Sequence, residues 1–267
     1  MLNNMSFYFL VSKLKFKSMK SYRNAFFISS ISLVIFNLIG FLLVWIMISS
    51  FGEIGSWKPF EVIFLYALNL GAFAIASCFF QSASYNLPIM IQNGDFDQVL
   101  TKPINSFVYF FSSYFGFNQL PHLLLAIGVL ILSCIQMNFV FSLSNIVKLF
   151  IVILSGAVIQ GAIYIISAIP SFWFIQNNSM TQIALSFRSF IRFPISAYHQ
   201  PVQFLLTFII PYAFINFYPS QLFLDKKEYL MFGEVIIWLS PVVATFWMIL
   251  AIVLWNFGIK NYKSTGS

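Results

Sequence analysis

From Ala25 to Gly52 the sequence carries no Asp, Glu, Lys or Arg, and the runs Val62 to Gln92 and Pro103 to Val147 are equally free of charge. A spanning helix needs only about 20 mainly apolar residues, so each run is long enough to cross a bilayer. Charged residues make up 8% of the chain, where a soluble domain carries about 25%. Seven acids and fourteen bases cannot give a 267-residue globule a polar surface. The expected fold class is all-α, a polytopic membrane protein with one membrane domain over residues 1–267. No internal repeat, low-complexity tract or soluble linker divides it.

The runs place six spans at about 25–49, 62–90, 120–137, 146–169, 202–224 and 234–258. The stretch SFVYFFSSYFGF before the third is an aromatic lead-in at the interface. Six crossings put both termini on one side. Ten Lys/Arg residues fall in the amino terminus, the 2–3 and 4–5 loops and the carboxyl terminus, and four in the other loops. The positive-inside rule makes the ten-base side, and both termini with it, cytoplasmic. The first apolar run exceeds the roughly 7–15 residues of a cleavable signal, and no small-residue cleavage site follows, so it reads as an uncleaved span.

Charge within the spans placed this way is confined to Lys148 and Glu234, each in the first turn of its span, which argues against a carrier driven by protons or sodium, since those use ionisable groups deep in the membrane. No G-x-x-x-x-G-K-[ST] loop occurs, so the chain is not expected to bind or hydrolyse nucleotide itself. Cys78 and Cys134 lie in apolar runs and read as small hydrophobes. His122 and His199 lack metal-ligand spacing. No catalytic residue, metal site or bound cofactor is expected, and no basic patch suggests nucleic acid.

Three segments carry more. Residues of about 5–23 form a basic stretch in which Phe7, Leu10, Val11, Leu14 and Tyr22 share a helical face opposite Lys13, Lys17, Lys20 and Arg23. Lys15, Phe9 and Phe16 blur that pattern. It reads as an amphipathic elbow helix on membrane lipid, or one that also touches a cytoplasmic partner. In IQNGDFDQVLTKPIN, Gly94 ends the second helix and Asp95 can cap a short helix. Phe96, Val99 and Leu100 then form a small apolar face before Pro103. A plain connector and a docking element for a soluble partner both fit. The fifth span holds Pro211 and Pro219, each costing a backbone hydrogen bond. Asn216 and Tyr218 lie between them. The prolines suggest a movable closure or path lining, while Asn216 alone reads as an interhelical hydrogen bond.

These segments resemble a known family. Ile91, Gly94, Asp97, Leu100, Lys102 and Pro103 resemble the I-x-x-G-x-x-D-x-x-L-x-[KR]-P stretch after helix two in a group of bacterial type-2 ABC transporter permeases. Gly55, Trp57, Glu61, Val62 and Tyr66 resemble that group's G-W-x-x-x-E-[VI]-x-x-x-Y lead, with Ser56 as an extra residue. Phe172-Trp173, then Arg192, Phe193 and Pro194, then Pro211, Phe214, Asn216, Tyr218 and Pro219, and the tail GIKNYKSTGS follow in order. The resemblance covers nearly the whole chain.

It implies a multi-pass permease subunit of an ATP-driven exporter in the bacterial cell membrane. The partners implied are a cytoplasmic ABC ATPase dimer, which would bind ATP-Mg, and a second permease subunit, often a different one. Gly94, Asp97, Leu100, Lys102 and Pro103 would form the ATPase-coupling loop. Pro211, Asn216, Tyr218 and Pro219 are the external gate or path candidates, with SQLFLDKKEYLMFG as a re-entrant segment after the fifth span. No substrate residue carries over. A nucleotide-independent channel or carrier, and a membrane immunity or assembly protein, remain the alternatives.

Overall fold

A computed structural model describes residues 11, 13, 17, 23–174, 178–224, 226–228, 230 and 234–262. Of the elbow expected over about 5–23, only positions 11, 13, 17 and 23 fall among them, and residues 263–267 of the tail fall outside. The described residues are helical, without strands. We number α1 Arg23–Phe51, α2 Pro59–Gln92, α3 Asp97–Leu100, α4 Ser106–Ser113 and α5 Leu120–Gln136. Next come α6 Leu143–Phe172 and α7 Asn178–Ser186, the latter prolonged by 3-10 turns Phe187–Arg192 and Ile195–Ala197. Helices α8 Gln200–Ile209, α9 Tyr212–Ser220 and α10 Ser240–Asn261 complete the chain.

Local chemistry sets the boundaries. Gly52 and Gly94, both at φ +76°, take the left-handed conformation that terminates α1 and α2. Helix α2 starts on Pro59, with the Glu61 carboxylate accepting from the Lys58 backbone N–H at 2.7 Å. Asn105 caps α4 by accepting from the Phe107 and Val108 N–H groups, and Ser142 caps α6 by accepting from Asn145 N–H. Asp95 does not cap α3; the cap position is Phe96, with no side-chain bond.

Helices α1, α2, α6 and α10 are long and apolar enough to cross a membrane, α5 is a shorter apolar helix, and the pair α8–α9 would add a fifth crossing if it were one span. Helix α2 is the centre of the bundle: 89% of its apolar window is buried, against 24% for α1 and 22% for α10. The apolar faces left open on α1 and α10 suit lipid or a neighbouring subunit.

One end of the bundle, here the upper end, carries the Gly52–Lys58 connection between α1 and α2. There Phe64, Leu68, Cys134, Leu149 and Val152 form an apolar cluster. The lower end carries the Gly94 turn, and there Leu87, Phe96, Phe110, Phe172 and Trp255 cluster. Close approach tightens that end, since a Cβ on Gly258 would sit 2.4 Å from Phe172 Cδ2.

The structure redraws the fifth span. A single span over 202–224, broken by its two prolines, is the expectation; the chain forms α8 and α9, bent by 78°. Both ends of this pair lie at the upper end. Tyr198, just before α8, shares a cleft with Glu53 and Ile54, and Leu222 to Leu224, just after α9, share one with Lys58 and Glu61. The pair is thus a re-entrant hairpin whose Pro211 turn points into the bundle. The segment that climbs from the lower to the upper end lies earlier, at 178–198. Its partners rise with it: Thr181 Oγ1 donates to Ser167 O, Arg188 to Asn69, and Ile191 O accepts from Asn216, which also bonds Leu65 O. Hydropathy missed this segment because Asn178, Thr181, Gln182, Ser186, Arg188, Ser189 and Arg192 dilute it.

Candidate functional site

Two features organise the chemistry, a polar cavity in the bundle and the turn below α2. The cavity, about 510 Å³, lies between α2, α6 and the climbing segment. Arg188 and Arg192 stand at its upper end; Gln81, Tyr85, Tyr164 and Gln182 line it lower down. Asn69, which Arg188 touches, lies about 15 Å down α2 at 1.5 Å rise per residue, near half the thickness of a bilayer core. The expectation that the bundle interior is free of charge is therefore corrected. Both arginines had been placed in a cytoplasmic loop because the polar residues around them broke the apolar run.

Arg188 is held from two sides. Its Nε donates to Asn69 Oδ1 at 3.2 Å, and its guanidinium carbon lies 3.4 Å from the Phe73 ring centroid, a cation–π geometry. Asn69 itself is buried. Arg192 packs beside Gly40 of α1, where an added Cβ would lie 3.6 Å from its Nη1 and 3.3 Å from the Tyr66 hydroxyl. Neither guanidinium forms an ion pair with a carboxylate among the described residues. Beside the arginines, Gln182, Ser186 and Ser189 expose a polar stripe. A polar stripe at this depth does not suit lipid and fits an aqueous path or a second subunit. The π-helical turn at Ser77–Gln81 lies on the opposite wall, where Ser77 Oγ and the Tyr164 hydroxyl are 3.2 Å apart. Such turns often mark functional positions.

The re-entrant hairpin packs against the same climbing segment and α2. Pro211, Asn216, Tyr218 and Pro219, the expected gate or path residues, are all buried within the hairpin. Asn216 Nδ2 donates to Ile191 O at 2.7 Å and to Leu65 O at 3.1 Å, tying the hairpin to the climbing segment and to α2. The Tyr212 hydroxyl donates to Ala184 O at 2.9 Å, and the Thr207 and Tyr218 hydroxyls are 3.3 Å apart. Ile215 fits against α6 because Gly156 lacks a side chain there; a Cβ would meet Ile215 O at 3.2 Å.

At the upper surface, the strand-like Ile54–Trp57 turn meets the segment after α9. Trp57 Nε1 donates to Glu228 Oε2 at 2.9 Å, Ser56 Oγ bonds Glu228 Oε1, and Lys226 pairs with Glu61 at 3.1 Å. Burial alone raises the Glu228 carboxyl pKa. Hydrogen bonds from Ser196, Ser56 and Trp57, with the Lys226 charge, outweigh it and hold the group below its ordinary value.

At the lower end, the 93–103 turn is anchored to its own chain. Phe96 is fully buried, with its ring centroid 5.3 Å from Phe172, 5.3 Å from Tyr262 and 6.1 Å from Trp255. Val99 is buried as well. The expected apolar face of Phe96, Val99 and Leu100 is thus divided. The first two fasten the turn beneath α2, and Leu100, 39% exposed, faces outward with Gln98, Lys102 and Pro103. Gly94 makes the reversal and Asp97 opens α3. The sequence shows three apolar residues at helical spacing but not whose surface covers them.

A family model described as ABC-2 family transporter protein matches residues 31–266. No curated protein and no solved structure matches the chain.

Proposed function

The chain belongs to the ABC-2 transporter family, and on that premise we propose that it is the membrane-spanning permease subunit of an ATP-driven exporter in a bacterial plasma membrane. In this reading the chain crosses the membrane six times, through α1, α2, α5, α6, the 178–198 segment and α10. The lower end faces the cytoplasm, as the bases of the amino terminus, Lys102 and Lys260 favour. With Arg188 and Arg192 withdrawn into the bundle, the asymmetry rests on those remaining residues.

The observation that carries the reading is the anchored turn. Phe96 locks the 93–103 turn to α6 and α10 while Gly94 joins it directly to α2, the central helix. A push on the exposed Leu100 tip by a cytoplasmic ATPase is then transmitted as motion of the bundle, because packed interiors shift as units. ATP-Mg is bound and hydrolysed by that ATPase. The hairpin holds the external side shut and yields when the climbing segment moves. The open apolar faces of α1 and α10 and the exposed Gln182–Ser186–Ser189 stripe favour a second permease subunit, which completes the path.

Purification of the tagged full chain from its own cells in mild detergent tests this. A nucleotide-hydrolysing subunit in fixed ratio, with a second permease, is expected in the eluate. A chain that elutes alone and transports without nucleotide would overturn the reading.

A further inference from the structure

The geometry points to a ligand class for the cavity: an amphiphile with an oxyanion head group, phosphate or carboxylate, held by Arg188 and Arg192. This rests on the permease reading for its role in transport, but not for the binding itself.

The argument starts from an unfilled set of donors. An arginine has five N–H donors and no acceptor. Arg188 uses one of them, Nε, on Asn69, and neither arginine forms an ion pair among the described residues. Cations at this depth in a membrane protein are expensive and are retained where they meet a counter-charge or line a pathway. Asn69 and the Phe73 face fix the Arg188 plane, so the cost of orienting it is met before a ligand arrives. Two guanidiniums on one cavity wall, that of Arg188 fixed, suit the planar, bidentate geometry of a carboxylate or phosphate. They also repel a cationic ligand. Gln81, Gln182 and Ser189 line the same cavity and add neutral hydrogen-bonding groups around the head.

The tail follows from position. The cavity lies at bilayer depth, Phe73 and Leu185 are part of its wall, and Ile183 and Phe190 are exposed beside it. A free inorganic anion would find no reason to reach this depth through an apolar surround, whereas an amphiphile arrives from the leaflet with its tail already in hydrocarbon. Gln81, Tyr85 and Gln182, the polar lining below the arginines, favour entry of the head group from the lower side.

The test uses the full complex in maltoside detergent and three probes with one dodecyl chain: dodecyl phosphate, a zwitterionic dodecylphosphocholine and dodecyltrimethylammonium, with inorganic phosphate as a fourth arm. Dodecyl phosphate is expected to bind at least about tenfold more tightly than either other amphiphile, and Arg192→Gln to remove about tenfold of that affinity, the scale of one charge-assisted hydrogen bond. Arg188→Lys, which keeps the charge and loses the fork, is expected to retain part of it. Arg188→Gln is informative only if the protein still elutes as a single species, and Arg192→Gln keeps the test open if it does not. Equal affinity for the three head groups, or unchanged affinity in both Arg192→Gln and Arg188→Lys, would overturn the inference. Inorganic phosphate binding as tightly as dodecyl phosphate would overturn the amphiphile assignment. All these outcomes are read from binding, so they leave association with the ATPase, and the permease reading, to be judged separately.

Discussion

Arg188 lays its guanidinium 3.4 Å from the centre of the Phe73 ring. The contact joins the climbing segment to the central helix at bilayer depth, and Asn69, one turn above Phe73, completes it by accepting from Arg188 Nε. A cation is thereby built into the wall of a cavity within the bundle.

Replacing Asn69 with Leu leaves Arg188 Nε without its acceptor in a buried setting. The expected cost is about 1–3 kcal/mol of stability, read as a faster loss of monodispersity on heating in detergent. Asn69→Asp is expected to be tolerated better, since a carboxylate can take the same bond and pair with the guanidinium. Equal stability of Asn69→Leu and wild type would show that the Arg188–Asn69 bond contributes nothing to the fold.

Asn216 ties the hairpin to both Leu65 and Ile191. Asn216→Leu removes both bonds at about 1 kcal/mol each and is expected to loosen the plug without preventing assembly. On a background with Cys78 and Cys134 replaced by Ala, a cysteine in place of Ser189 reports the state of the cavity. An impermeant thiol reagent added outside is expected to label it slowly with Asn216 present and faster with Asn216→Leu. The same rate in both would take the hairpin out of the closure.

Glu228 carries the pH dependence of the upper surface. Its carboxyl is held below the ordinary value in the folded protein. The stability it contributes is therefore present above the unfolded carboxylate pKa and lost as pH falls through the depressed folded value. Acidification is expected to weaken the Trp57–Glu228 bond and change Trp57 fluorescence, taken as the difference from Trp57→Phe. Glu228→Gln is expected to abolish that acid transition. A transition that persists in Glu228→Gln would assign it elsewhere.

Cysteines introduced singly test the orientation. In place of Gln98, a cysteine is expected to resist an impermeant reagent outside intact cells, and in place of Glu53 to react. Labelling at position 98 from outside would invert the lower and upper assignments.

Hydropathy made much of this legible and failed where polar residues serve the interior. Helices α1, α2, α6 and α10 stand where uncharged runs stand, because lipid-facing and packed surfaces are both apolar. The climbing segment was hidden, since Gln182, Ser186, Arg188, Ser189 and Arg192 make it resemble a loop. Their spacing, which puts Gln182, Ser186 and Ser189 on one helical face, was the available signal. Residues 200–220 passed for a span because a re-entrant hairpin buried among helices needs the same apolar side chains as a crossing. Pro211 marked the break but not the direction of the chain after it. The 93–103 turn was recognised from its residues, yet only contacts with Phe172, Trp255 and Tyr262 show that Phe96 anchors it.

The central claim is that the Leu100 tip of this turn drives the bundle, and ATP hydrolysis by the purified complex tests it most directly. The turnover of the co-purifying ATPase is measured alone, with the wild-type chain, and with Leu100→Asp, which alters an exposed residue and is expected to leave insertion and folding intact. A charge placed at a buried contact costs several kcal/mol, so Leu100→Asp is expected to abolish the stimulation or the association. Association and stimulation by Leu100→Asp equal to those of the wild-type chain would contradict the account.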